Sequence, residues 1–339
     1  MTPPRRRPPH RALLLGCVLP VALAVSSSLA GAARASVPAV SVPSALASDG
    51  VHAFIANTGS GSVLEVRATS GAVVRTIRGA AYRFDLSDDL AVSSGMVWAS
   101  NASSNSVTEF SASTGRLVRL LSLPNYRFET PASLVAAAGN IFVLNRAGGR
   151  VNVLDAATGR RRRIVTGPSG HVLAAVGLVG ARGNVWVANG GANGSLTELS
   201  GDSGAVLRVV SSSAGALSSP TAIATDGSRL FVSNAHGTHV SVLSASTGRL
   251  IGLLVASGTD LNEVTSLADA RGRLWLASTT TGEVASVPSA PGSFAARSVH
   301  RYGYPSVTAD ARWLWVVDRV QSRVTQLDVV TGRLVRVIY

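Results

Sequence analysis

The chain has no lysine, one cysteine and two methionines, and only 5% of its 339 residues are aromatic. Each shortage removes a class of chemistry. Without lysine there is no Schiff-base nucleophile and no phosphate loop of the kind that closes on a lysine. With Cys17 the sole thiol, no internal disulfide can form, so packing alone must hold the fold. No Gly-x-Ser-x-Gly elbow precedes a helix, and the six histidines show no nucleophile and base arrangement. Helical periodicity is missing beyond the leader. What remains is rich in Val, Leu, Ala, Ser and Thr with 34 glycines, a composition suited to short strands and tight turns.

Residues 1–35 read as a secretory signal peptide. Arg5, Arg6, Arg7 and Arg11 make a positive start, Ala12 to Val25 an apolar stretch, and Ala33-Arg34-Ala35 a small-residue cleavage site before Ser36. A second reading starts from Leu14-Leu15-Gly16-Cys17, which resembles a lipobox and would make Cys17 a lipid anchor. Few apolar residues precede Cys17 and the hydrophobic stretch continues past it, which favours cleavage; a retained leader would act as an anchor instead. Cleavage after Ala35 lowers the formal charge from +13 to +8 and leaves a secreted or extracytoplasmic chain with no membrane span.

A unit of about forty-four residues recurs seven times. Its aromatic anchors are Phe54, Trp98, Phe142, Trp186, Phe231, Trp275 and Trp315, spaced 44, 44, 44, 45, 44 and 40 apart. The turn glycines Gly71, Gly115, Gly159, Gly204, Gly248, Gly292 and Gly332 keep the same beat. In the fifth unit, four β-rich runs lie between turn residues: Pro220 to Gly227, Arg229 to Asn234, His239 to Leu243 and Gly248 to Leu254. A four-stranded sheet that is apolar on both faces needs neighbours on both sides, and wrapping seven such sheets around an axis supplies them. The expected fold is all-β, a seven-bladed β-propeller over 36–339 with four antiparallel strands per blade. The blades are expected at about 41–80, 86–124, 130–168, 174–213, 219–257, 263–299 and 304–339. An open solenoid fits less well, because the end units do not read as polar caps. Ring closure is expected from packing of blade seven on blade one, with Val37 to Val42 able to add an outer strand there.

The unit resembles exported bacterial propellers with YVTN-type and NHL-type repeats, which share the pattern of Leu230-Phe231-Val232-Ser233-Asn234 and Ser246-Thr247-Gly248. The resemblance implies the fold and leaves activity open, since this architecture serves binders, lactonases, lyases and quinoproteins. Fourth strands such as Leu117 to Leu121 carry no docking Trp, which argues against a quinone cofactor. The recurrent Asn57, Asn101, Asn145, Asn189 and Asn234 read as turn residues that tolerate left-handed backbone and bond nearby amides. The Thr-Gly pairs read as hairpin turns. The arginines after them, Arg116, Arg160, Arg249 and Arg333, form a charged rim that either solubilises the ring or attracts an anionic envelope polymer.

Departures from the repeat on the face of the loops after second and fourth strands are the candidate site. Tyr82, Asp85, Asp88 and Asp89 lead into blade two, Tyr126 and Glu129 into blade three, Asp260 and Glu263 into blade six, and Tyr302 and Tyr304 into blade seven. Tyr and carboxylate loops of this kind suit recognition of a protein, glycan or envelope partner. Nucleic acid is excluded as a partner by export and by arginines spread at the repeat interval, and a monomer is expected. The leading reading is therefore a non-enzymatic binding or scaffolding module without a cofactor. The alternative is a metal-dependent lyase or lactone hydrolase, resembling the streptogramin lyases and calcium-dependent lactonases, with His236, His239, Asp260 and Glu263 as divalent-metal ligands.

Overall fold

A computed structural model describes residues 40–167, 172–191, 193–211, 216–235, 239–259 and 264–339. The expected signal peptide, with Cys17 and its cleavage site, lies outside the described residues, and no described helix is long and apolar enough to cross a membrane. The unit from Pro38 to Tyr339 is a seven-bladed β-propeller. Blade one comprises Pro43–Ser48, His52–Asn57, Ser62–Arg67 and Val73–Arg78, hydrogen-bonded in chain order. The other blades span 90–121, 131–166, 175–211, 220–257, 264–301 and 305–338, each with the same antiparallel meander.

Alternation along the second strand explains why the blades stand side by side. In blade one, Phe54 and Ala56 pack toward blade two with Val97, Ala99 and Phe110, while Ala53 and Ile55 pack toward blade seven with Trp315 and Val324. The same division gives seven apolar cores, each filled by one aromatic anchor from the preceding blade. All seven anchors are at most 1% exposed, so each contributes on the order of 2–3 kcal/mol of burial.

The seventh core closes the ring, because it joins Trp313, Trp315, Val317 and Ile338 to Leu46, Leu64 and Val66. Polar ties cross the same seam: Gln326 Nε2 donates to the Ala68 carbonyl at 2.7 Å and Ser48 Oγ to Asp310 Oδ2 at 2.8 Å. Val40 is buried in this core, and the sheet of blade one keeps four strands, so the segment before Pro43 fills the seam instead of extending the sheet.

Fourth strands carry a second repeating device. Arg75, Arg119 and Arg336 reach over the next blade's third hairpin and donate to the carbonyls of Ser113, Ala157 and Thr69 at 2.7, 3.0 and 2.7 Å. A Cβ on the turn glycines Gly115, Gly159 or Gly71 would stand 3.0, 2.7 or 2.5 Å from these side chains, and their φ of 70°, 71° and 69° also favours glycine.

Two expectations require correction. Gly292 is no hairpin glycine: its φ is 145°, and it opens the strand Gly292–Ala295 that leaves blade six and pairs in parallel with Leu250–Ser257 of blade five. Blade five thus has five strands. Its eight-residue apolar outer edge gains a cover, with Phe294 packed on the core between blades five and six. The recurrent asparagines are also not left-handed turn residues; they end the second strands and are buried. Asn145 accepts from the Glu129 amide at 3.0 Å and donates to Asn152 Oδ1 at 3.0 Å, tying the entry loop to the third strand.

Candidate functional site

First strands line the axis, because they are the innermost strand of every blade. They enclose a channel of about 580 Å³ walled by Leu46, Leu178, Ile223, Leu267 and Val307, with Asp89 toward one end and Asp269 toward the other. Burial raises the carboxyl of Asp269. At the end where first strands begin and second strands finish, a mouth of about 360 Å³ is lined by Ser44, Asp88, Arg146, Thr279, Tyr304 and Arg319.

The repeat positions each of these side chains. Arg146 and Arg319 directly follow the strand-ending residues Asn145 and Asp318, so they project from the second-strand rim. Arg146 Nη1 stands 3.7 Å from Asp88 Oδ2, and Arg319 adds a second positive field on the same carboxylate. Burial nevertheless raises Asp88, against the opposing pull of the two arginines. Residues just before the first strand adopt positive φ in several blades, as at Val42, Thr130, Ala174 and Ser219 with φ of 44° to 54°. Tyr304 takes φ 80° there and keeps 52% of its surface exposed. Such a backbone costs on the order of 1–3 kcal/mol for a bulky residue, and here it holds a phenol ring over the mouth.

Asp89 works one step deeper. Its two oxygens accept the amides of Leu90 and Leu134, both at 2.8 Å, strapping the entry of blade two to the first strand of blade three. Burial outweighs these bonds and pushes its carboxyl up to about 6.

Asp88, Asp89 and Tyr304 are thus brought together at the channel. Asp85 and Glu129 lie in entry loops as braces: Asp85 Oδ1 accepts from the amide and hydroxyl of Ser104 at 3.1 and 2.9 Å, and Glu129 pairs with Arg150 at 3.2 Å. Tyr82, Tyr126 and Tyr302 stand between blades. Tyr82 and Tyr126 donate to the carbonyls of Gly115 and Gly159 at 2.9 and 3.0 Å, and Tyr302 is buried in the core between blades six and seven. His236, Asp260 and Glu263 lie outside the described residues. His239 is half-buried, and among the described residues no three His, Cys, Asp or Glu side chains come together to hold a metal.

Arg146 and Arg319 are the mouth residues that the sequence reading missed. Their signal was the residue after the strand-ending position, which is Thr58, Ala102, Gly190, Ala235 and Thr279 in the other blades. Two guanidinium groups, one carboxylate, a phenol and the hydroxyls of Ser44 and Thr279 can orient an anionic, hydrogen-bonding group. No described histidine lines the mouth, so none of its hydroxyls has an imidazole base beside it.

No protein-family model matches the chain, and no curated protein does. Solved structures do. The hydrazine synthase of Kuenenia stuttgartiensis is 14% identical with a TM-score of 0.66, covering 85% of this chain and 96% of that one. The computationally designed Ika8 protein is 18% identical with a TM-score of 0.61, covering 88% and 87%. KlHsv2 with its loop 6CD replaced by a Gly-Ser linker is 8% identical with a TM-score of 0.62, covering 84% and 92%. At these identities the likeness is one of fold, a propeller ring shared by chains with little sequence in common.

Proposed function

We propose that this protein is an exported binding or scaffolding propeller that takes an anionic group of a glycan or protein partner at the channel mouth. The observation that carries this reading is the gathering of departures from an otherwise uniform repeat, Asp88, Arg146, Tyr304 and Arg319, around one opening. The arginines attract the anion, Asp88 holds Arg146 in place and selects against a second acid, and the hydroxyls satisfy neutral oxygens. The strained Tyr304 backbone supports a contact role, since strain persists where function uses it. The reading requires no cofactor and no membrane span. The leader pattern supports export, and the Leu230 to Asn234 pattern supports kinship with bacterial YVTN-type and NHL-type repeat propellers.

The test is retention of the mature protein on immobilised polygalacturonate, polyglutamate and neutral dextran at low and high salt. Retention on an acidic matrix, weakened by salt and lost in Arg146→Ala/Arg319→Ala, supports the reading; equal retention on dextran, or none on either acid, overturns it. The enzymatic alternative is tested on the same preparation. Stoichiometric calcium, magnesium or zinc, lost from His239→Ala together with lactone hydrolysis, would replace the non-enzymatic reading.

A further inference from the structure

Three blade entries carry the same aromatic, arginine, aromatic signature: Tyr82-Arg83-Phe84, Tyr126-Arg127-Phe128 and His300-Arg301-Tyr302. In each the two rings lie together, with centroids 5.2, 5.3 and 5.3 Å apart. The trailing rings are all buried, as Phe84, Phe128 and Tyr302. At the first two junctions the leading tyrosine completes the packing. Tyr82 Oη donates to the Gly115 carbonyl at 2.9 Å and accepts from the Leu117 amide at 3.0 Å, and Tyr126 Oη donates to the Gly159 carbonyl at 3.0 Å.

The third junction lacks that tyrosine. Here the repeat is 40 residues instead of 44, the leading residue is His300, and its side chain is exposed at the end of the strand Arg297–Arg301. A cavity of about 160 Å³ occupies the junction, walled by Val299, Leu327 and Val337 and edged by His300, Tyr302 and Arg323. Gly332 and Leu334 also line it, and these are the counterparts of Gly115 and Leu117. The register slip that leaves Leu117 to a tyrosine hydroxyl recurs at Leu334: Phe110 pairs with Leu117 just as Leu327 pairs with Leu334. An apolar cavity of about 150 Å³ is enough for a benzene-sized guest.

We propose that this cavity binds a small phenolic compound. The guest's ring takes the space that a tyrosine fills at the other two junctions, and its hydroxyl donates to the Gly332 carbonyl and accepts the Leu334 amide. Arg323, whose guanidinium lies 5.5 Å from the Tyr302 ring centroid, forms the polar edge of the same slot. The site is separate from the channel mouth and stands or falls independently of it.

The probes are phenol and toluene, titrated into the mature protein and followed by calorimetry and by methyl chemical shifts. Phenol is expected to bind saturably and at least tenfold more tightly than toluene. Intermolecular contacts from its ring protons to the methyl groups of Val299 and Leu327 are expected in nuclear Overhauser spectra. His300→Tyr and Val299→Phe, two different ways to fill the slot, are each expected to lower phenol affinity at least tenfold with the native circular dichroism kept. Absence of saturable phenol binding, toluene binding as tight as phenol, or contacts only to methyl groups elsewhere would overturn the proposal. These wild-type readouts decide the matter even where a filled variant fails to fold.

Discussion

Around the ring the second strand hardly changes, whereas the residue that follows it changes freely. Each second strand presents one aromatic anchor to the next blade and two small aliphatic residues to the previous one, so both faces are fixed by neighbours. One residue later the chain meets the mouth, and Thr58, Ala102, Arg146, Gly190, Ala235, Thr279 and Arg319 all occur there. A side chain packed on two sides cannot vary without leaving a void or a clash. A side chain that faces an open axis can, and the two arginines exploit that freedom.

The comparison breaks most severely at an anchor. Trp186→Ala is expected to cost about 3–5 kcal/mol in denaturant unfolding, because it empties the core between blades four and five. A cost under about 1 kcal/mol would show that the junctions are not the source of stability.

Asp89 links the two regions, and its carboxyl is raised by burial to about 6. A raised acid binds its proton more tightly in the folded state, so this group lowers stability as pH rises from about 4 to about 6 and leaves it level beyond. Unfolding measured across that range is expected to fall by up to about 3 kcal/mol more in the wild type than in Asp89→Asn. Parallel pH profiles for the two proteins would contradict the assigned burial.

Asn145→Ala sharpens the comparison on the fixed side. It unpairs the Glu129 amide and the Asn152 side chain, and the expected cost is about 1–3 kcal/mol with the mouth left in place. Arg319→Ala, at the variable side, is expected to change stability by no more than about 0.5 kcal/mol. Its effect belongs in partner retention, where at least a tenfold loss is expected.

The architecture was legible because the repeat states it seven times: anchor spacing gave the blade count, and two-sided apolar strands required a closed ring. Gly292 misled because it kept the beat while its segment, Pro291-Gly292-Ser293-Phe294, carried an apolar strand to the edge of blade five. The asparagines misled because Asn suits turns and buried strand ends equally well, and only the third-strand partners Thr108, Asn152 and Ser241 distinguish the two roles. Entry-loop aromatics looked alike in sequence, yet Tyr304 faces the mouth while Tyr302, two residues earlier, faces the core. That difference rests on one left-handed residue, which the letters do not reveal.

The most direct measurement is a paired one on Arg146→Ala/Arg319→Ala: the thermal midpoint and the retention on acidic matrices, each against the wild type. An unchanged midpoint with retention reduced at least tenfold is the expected result. Undiminished retention, or loss of retention only in step with loss of folding, would contradict the assignment of binding to the mouth and of stability to the anchors.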